Sequence, residues 1–182
     1  MKKVLILIET GFEEVEALTP VDLLRRAGAE VVLATSVSNC QVTGRNEITV
    51  LCDAAYETVD PGEFDMVVIP GGNGGVDALS KNSFALDLIR EYFAQKKWVG
   101  AICAGPLVLK EAGVLNWQSI TSYPSTKSEL TAITNYSDER VVTDGHLITS
   151  RGPGTSVEFG LTLVEKLFGP EKATEIQRQI VA

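Results

Sequence analysis

Val99-Gly-Ala-Ile-Cys-Ala-Gly-Pro106 is the stretch on which the fold turns. A short apolar run from Trp98 to Ile102 leads into Cys103, two small residues and a proline follow, and a helical pattern begins. That is the layout of a strand, a sharp turn and a helix with a cysteine at the apex. A nucleophile at such an elbow stands above the sheet, and the backbone N–H groups after it can face a developing anion. A cysteine between small residues also suits a core position, free Cys being among the most buried residue types. The two readings differ in what they require of the thiol pKa.

Outward from the elbow the same alternation repeats. Val4 to Ile8 is a continuous apolar run and reads as a buried parallel strand. After Gly11 a helix runs to Arg26, with Val15, Leu18, Val21 and Leu24 at core spacing, Pro20 kinking it or marking its effective start, and Gly28 stopping it. Glu30 to Val37 is a second strand, and Gln41 to Cys52 alternates as a side hairpin. Asp65 to Pro70 is a third buried strand ending in Gly71-Gly72-Asn73-Gly74-Gly75. Ser83 to Lys96 is amphipathic, with Phe84, Leu86, Ile89 and Phe93 as core candidates. Beyond the elbow, a helix from Leu107 to Ala112 stops at Gly113, and Gln118 to Ser122 suits another strand. Val141 to Thr149 is a hairpin turning at Asp144-Gly145, and Arg151 to Gly154 is a loop. Thr155 to Leu167 is amphipathic, and Gly169-Pro170 opens the last helix.

Buried strands alternating with helices predict an α/β three-layer sandwich. The expected sheet is doubly wound, flavodoxin-like and mostly parallel, with a nucleophile elbow and a small side hairpin, in a single domain over residues 1–182. Three segments, Gly11 to Glu16, Gly71 to Gly75 and Cys103, each follow a strand. They should meet at the carboxyl ends of the sheet, where such folds place their sites.

Composition narrows the function. The formal net charge is -8, a poor match to a nucleic-acid surface, and no polybasic stretch suggests a membrane surface. No apolar run approaches the ~20 residues of a membrane span. Nothing reads as a signal peptide, so the expected setting is a reducing cytoplasm. Three cysteines (Cys40, Cys52, Cys103) form neither a disulfide framework nor a zinc ligand set. With one histidine, a metal site is not expected.

Gly71 and Gly72 allow backbone N–H groups to approach a ligand, or they make a plain turn; neither a GxGxxG unit nor a Walker lysine accompanies them. Glu13, Glu14 and Glu16 open the first helix, where the helix dipole alone would favour them. Glu16 sits near the inward face. Kept protonated by burial, it could donate a hydrogen bond to a neighbouring thiolate and lower the thiol pKa. His146 adjoins the hairpin turn and is expected to be solvent-exposed and remote from the elbow, which disfavours a Cys–His dyad.

Five segments in order resemble the ThiJ/PfpI superfamily, most closely its DJ-one-like, glyoxalase III and deglycase branch: Gly11 to Glu16, Pro20 to Gly28, Val68 to Asn73, Ala101 to Pro106 and Thr149 to Thr155. The resemblance implies roles. Cys103 matches a nucleophilic cysteine readily oxidised to the sulfinic acid, and Glu16 the carboxylic acid that hydrogen-bonds it. Gly71 and Gly72 match oxyanion donors, with the Ala104 N–H beside them. Arg45 matches an arginine near the site, and Pro153 and Gly154 the loop at the pocket and dimer interface. The first helix, with Arg25 and Arg26, resembles the helix that pairs subunits in a homodimer. The chain departs at Tyr123, where many relatives carry histidine. Ala104 stands where the peptidase-like branch has histidine, and the amidotransferase His/Glu pair is missing, so neither activity is expected. The implied activity is glyoxalase or deglycase chemistry on methylglyoxal, glyoxal or glycated amines without a cofactor. The alternative is a redox sensor or redox-regulated chaperone with little turnover.

Overall fold

The computed structural model describes residues 1–182. Its elements are β1 (Lys3–Leu7), α1 (Glu14–Arg26), β2 (Glu30–Thr35), β3 (Gln41–Thr43), β4 (Thr49–Leu51) and β5 (Ala54–Ala55). There follow β6 (Met66–Ile69), α2 (Asn73–Leu79), α3 (Ser83–Gln95), β7 (Trp98–Ile102) and α4 (Pro106–Glu111). Then come β8 (Ser119–Ile120), α5 (Lys127–Leu130), β9 (Asn135–Tyr136), β10 (Val141–Asp144), β11 (Leu147–Ser150), α6 (Ser156–Phe168) and α7 (Pro170–Gln179).

The main sheet has the order β10-β11-β7-β6-β1-β2-β5 and is parallel except at β10. This is the doubly wound, flavodoxin-like arrangement. Strands β1, β6 and β7 are buried almost throughout, as a sheet covered on both faces requires. The step from β1 to β2 crosses the sheet one way, and that from β6 to β7 the other. Right-handed crossovers therefore set α1 and α3 on opposite faces. The order reverses between β1 and β6, so a crevice opens at their carboxyl ends. There the Glu13 N–H donates to the Gly71 carbonyl at 2.9 Å, joining the two loops.

Several expectations need correction. Val15 was expected in the core and is 48 % exposed, whereas Glu13, Glu14 and Glu16 on the same helix opening are buried. Polar contacts decide that face, not hydropathy. In α3 the buried stripe is Ala85, Leu88, Ile89 and Tyr92, while Phe84, Leu86 and Phe93 are half-buried. Tyr92 goes inside because its hydroxyl donates to the carbonyls of Pro61 at 2.9 Å and Phe64 at 3.3 Å. His146 is half-buried, edge-on to Phe93 with ring centroids 5.0 Å apart, and burial holds its pKa below the usual imidazole value. Its carbonyl accepts from the Val99 N–H at the start of β7, the end of that strand away from Cys103. The segment near Gln118 forms a small separate sheet, β8 paired with β9. No helix is long and apolar enough to cross a membrane.

Candidate active site

Cys103 follows β7 directly and has φ of 63°, the left-handed region that a side-chain-bearing residue rarely occupies. Such a conformation costs on the order of 1–3 kcal/mol and persists only where the surroundings hold it. Two backbone bonds do so here. The Cys103 N–H donates to the Ser150 carbonyl at 2.9 Å, and the Cys103 carbonyl accepts from the Tyr123 N–H at 2.8 Å. The elbow is thus tied to β11 on one side and to the Tyr123 turn on the other.

Glu16 reaches this point from α1. It is fully buried, and its Oε2 accepts from the Gly71 N–H at 2.8 Å. The three residues converge over Gly71. A Cβ there would lie 2.5 Å from Glu16 Oε2, 2.7 Å from Cys103 Cβ and 3.0 Å from Cys103 Sγ. Gly71 is therefore required for closeness, not for backbone freedom. Its N–H, expected as an oxyanion donor, is instead used to hold Glu16. Gly72 is required for conformation, with φ of 91°.

Burial pushes the Glu16 carboxyl up to about 7; the Cys103 thiol and the Gly71 N–H pull it down, and Glu13 adds to the rise. Burial likewise pushes the Cys103 thiol up, an ionised Glu16 raises it further, and the Ala104 N–H pulls it down. The pair resists a second negative charge. Glu16 therefore helps a Cys103 thiolate only when it holds the proton itself. Ionised, it is a base positioned to take the proton from Sγ.

A cavity of about 280 Å³ opens above Sγ, lined by Arg45, Gly72, Asn73, Cys103, Ala104, Tyr123, Ser125, Thr126 and Pro153. The structure thus gathers Cys103, Ala104, Gly72, Arg45, Tyr123 and Pro153 around one space, with Glu16 and Gly71 behind Sγ. The Arg45 guanidinium lies 3.4 Å from the buried Glu13 carboxylate, and the Arg45 N–H donates to the Phe12 carbonyl at 2.8 Å. Glu14, buried too, accepts from the Asn46 N–H and side-chain amide, each at 2.8 Å. Of the three glutamates at the helix opening, two anchor the β3–β4 hairpin and one enters the site.

Asn73, Ser125 and Thr126 were not anticipated in the cavity wall. The first lies within a segment already singled out for its glycines. The other two follow Pro124, and their only signal was position after a strand end. Beneath them the Ser122 hydroxyl bonds the Thr126 hydroxyl at 2.8 Å and the Tyr136 hydroxyl at 3.0 Å. No group of three or more His, Cys, Asp or Glu side chains gathers where a metal ion would sit.

Comparison with known proteins agrees with this architecture. The model of the DJ-1/PfpI family matches residues 2–166. A curated Drosophila melanogaster relative, Protein dj-1beta, is 41% identical over 183 residues, covering 99% of this chain and 97% of its own. A Pyrococcus abyssi relative named as a deglycase is 39% identical over 153 residues, covering 84% of this chain and 91% of its own. The crystal structure of Drosophila melanogaster DJ-1beta superposes with a TM-score of 0.96 at 40% identity, over 100% of this chain and 98% of that one.

Proposed function

The chain belongs to the DJ-1/PfpI family, and on that premise we propose that it detoxifies reactive carbonyls through nucleophilic Cys103. The supporting observation is the Cys103–Glu16 pair beneath a cavity sized for a small molecule. In methylglyoxal the aldehyde carbon is the electrophile. Cys103 Sγ bonds to it while the thiol proton passes to Glu16, giving a hemithioacetal. The new oxyanion faces the Ala104 and Gly72 N–H groups and takes the proton back from Glu16, which is ionised again. Glu16 then moves a proton from C1 to C2 while the C1 hydroxyl proton passes to the C2 oxygen, converting the adduct to a thioester of lactate. Water hydrolyses the thioester and frees the thiol, so the sum is methylglyoxal plus water to lactate. Glycated amines are the related substrates, and the step needs no organic cofactor or metal. Peptidase and amidotransferase chemistry is disfavoured by Ala104 and by the distant His146.

One observation favours a second reading. Tyr123 offers no imidazole, which leaves the acid–base work of turnover to Glu16 alone. A redox-sensing or chaperone role, with Cys103 oxidised to the sulfinic acid, would need little turnover. The test is lactate formation from methylglyoxal by the native protein and by Tyr123→His. Carbonyl chemistry predicts measurable turnover that rises about tenfold or more with the added acid–base group. No lactate from either protein, with Cys103 still oxidised selectively by peroxide, would leave the sensor reading in place.

A homodimer through α1 and the side hairpin completes the proposal. Val15 is 48 % exposed, Ile48 54 % and Leu51 72 %, an apolar face beside Leu18. Arg25 and Arg26 are engaged within the chain, by Asp53 and Asp22, each at 2.7 Å. The pairing contact is therefore assigned to the apolar residues. Val15→Glu should shift sedimentation from dimer to monomer; an unchanged dimer would place the interface elsewhere. The three free thiols suit a reducing cytoplasm.

A further inference from the structure

We propose that Cys40 and Cys52 are a second redox site, forming a reversible disulfide that closes the base of the side hairpin when a peroxide oxidises the protein. The register of the hairpin leads to this. Gln41 faces Leu51, Val42 faces Val50 and Thr43 faces Thr49, so the next pair outward is Cys40 and Cys52. The pairing reaches one residue beyond the ladder through a single bond. The Cys52 N–H donates to the Cys40 carbonyl at 2.7 Å, while the Cys40 N–H turns away to the Val37 carbonyl at 2.8 Å. A hydrogen-bonded antiparallel pair holds its Cα atoms about 5.5 Å apart. That lies inside the span of about 4.4–6.8 Å that a disulfide bridges.

The two thiols are unequal, which orders the chemistry. Cys52 is buried and Cys40 is half-buried. Burial pushes the Cys52 thiol up to about 12, and the neighbouring Cys40, Asp53 and Glu9 add to the rise. Cys40 is thus the thiol that meets solvent, and its sulfur lies close enough to Cys52 to act on it electrostatically. The Cys40 thiolate attacks one peroxide oxygen. The S–O bond forms, the O–O bond breaks, and the other oxygen leaves as hydroxide, which takes up the proton the Cys40 thiol released and becomes water, giving a sulfenic acid. The Cys52 sulfur then attacks the Cys40 sulfur. The S–S bond forms, the S–O bond breaks, and the hydroxyl leaves as water with the Cys52 proton. Two electrons pass from the two thiols to the peroxide.

The pair is built for reversal. Cys40 has φ of 58° and is half-buried, so its sulfur stays open to an attacking thiolate. A cellular thiol reductant reopens the bridge there by thiol–disulfide exchange. The hairpin so closed carries Arg45 and Asn46, which hold Glu13 and Glu14 beside the Cys103 cavity. Oxidation would fix that arm in place independently of Cys103.

Trypsin makes the test direct. Arg45 separates Cys40 from Cys52, placing them on peptides 27–45 and 46–81, while Cys103 lies on 98–110. The native protein is treated with hydrogen peroxide, alkylated, digested and weighed. The expected result is parallel loss of alkylation at Cys40 and Cys52 and a linked species lighter by two hydrogens. Dithiothreitol should separate it. Cys40→Ser should abolish the linked species and leave oxidation of the Cys103 peptide unchanged. Both thiols remaining alkylatable, Cys40 advancing alone to a sulfinic acid, or a bridge joining two copies of the chain would each overturn the proposal.

Discussion

Cys103→Ser should lower lactate formation from methylglyoxal by about 10³-fold or more while leaving the fold in place, because a hydroxyl yields its proton to Glu16 far less readily than a thiol and is the weaker nucleophile. The substitution is close to isosteric. The backbone bonds to Ser150 and Tyr123 that hold the elbow do not involve the side chain, so the strained φ survives. The unfolding midpoint should therefore move little. Steady-state lactate assays beside circular dichroism melts check both parts. Full activity in a folded Cys103→Ser protein would remove the nucleophile from the mechanism. Lost activity with lost structure would say nothing of chemistry, and the melt separates these cases.

Glu16→Gln has the second largest expected effect, and it acts on two observables. The glutamine still fills the space and can donate toward Sγ, but it cannot take a proton. Turnover should fall by about 10² or more, the usual contribution of a positioned acid–base group. Stability should respond in the opposite direction, and only at high pH. The Glu16 carboxyl titrates near 7 in the folded chain against an ordinary value of 4.5. The folded state thus binds an extra proton between those values. That contribution is fully present below about pH 4.5 and is lost as pH rises through 7. The native protein consequently carries a buried charge above pH 7 that the glutamine variant lacks. The variant should gain roughly 2–3 kcal/mol over the native protein at pH 8–9 and almost nothing at pH 4. Urea unfolding across that range measures it. Parallel pH profiles for the two proteins would show that Glu16 titrates normally and would remove its proposed role as proton carrier.

The strand order and the position of the elbow were readable because they rest on strong local signals. Continuous apolar runs such as Val4 to Ile8 mark strands buried on both faces, and small residues before Pro106 mark the turn into α4. What stayed hidden depends on partners distant in sequence. Hydropathy placed Val15 inward and left Glu13 and Glu14 as a helix-dipole cap, yet Arg45 and Asn46, some thirty residues on, bury those carboxylates and turn Val15 outward. Tyr92 took an interior place from aromatic neighbours because two backbone carbonyls awaited its hydroxyl. Helix α2 begins Asn73-Gly-Gly, a start that intrinsic propensity argues against, and packing prevails over propensity there. At the site, Gly71 was recognisable as a close-approach glycine. That its N–H holds Glu16 is a fact of the Glu16 rotamer, which no pattern of residue types encodes.

The missing methyl group at Gly71 has a consequence for how this scaffold can diversify. Glu16 Oε2, Cys103 Cβ and Sγ all lie within 3.0 Å of the place a Cβ would take. The floor of the cavity is therefore closed to gradual change: the smallest possible substitution displaces both reacting groups together. The opposite wall is permissive. Tyr123 is 45 % exposed and projects a side chain whose loss would leave the floor untouched, and Ser125 beside it is exposed too. Mutational drift and selection can act on that upper rim one side chain at a time. Descendants of this chain would then acquire new substrates by redecorating the roof over an unaltered base, and a library restricted to positions 123 and 125 would vary that roof without disturbing the reacting pair.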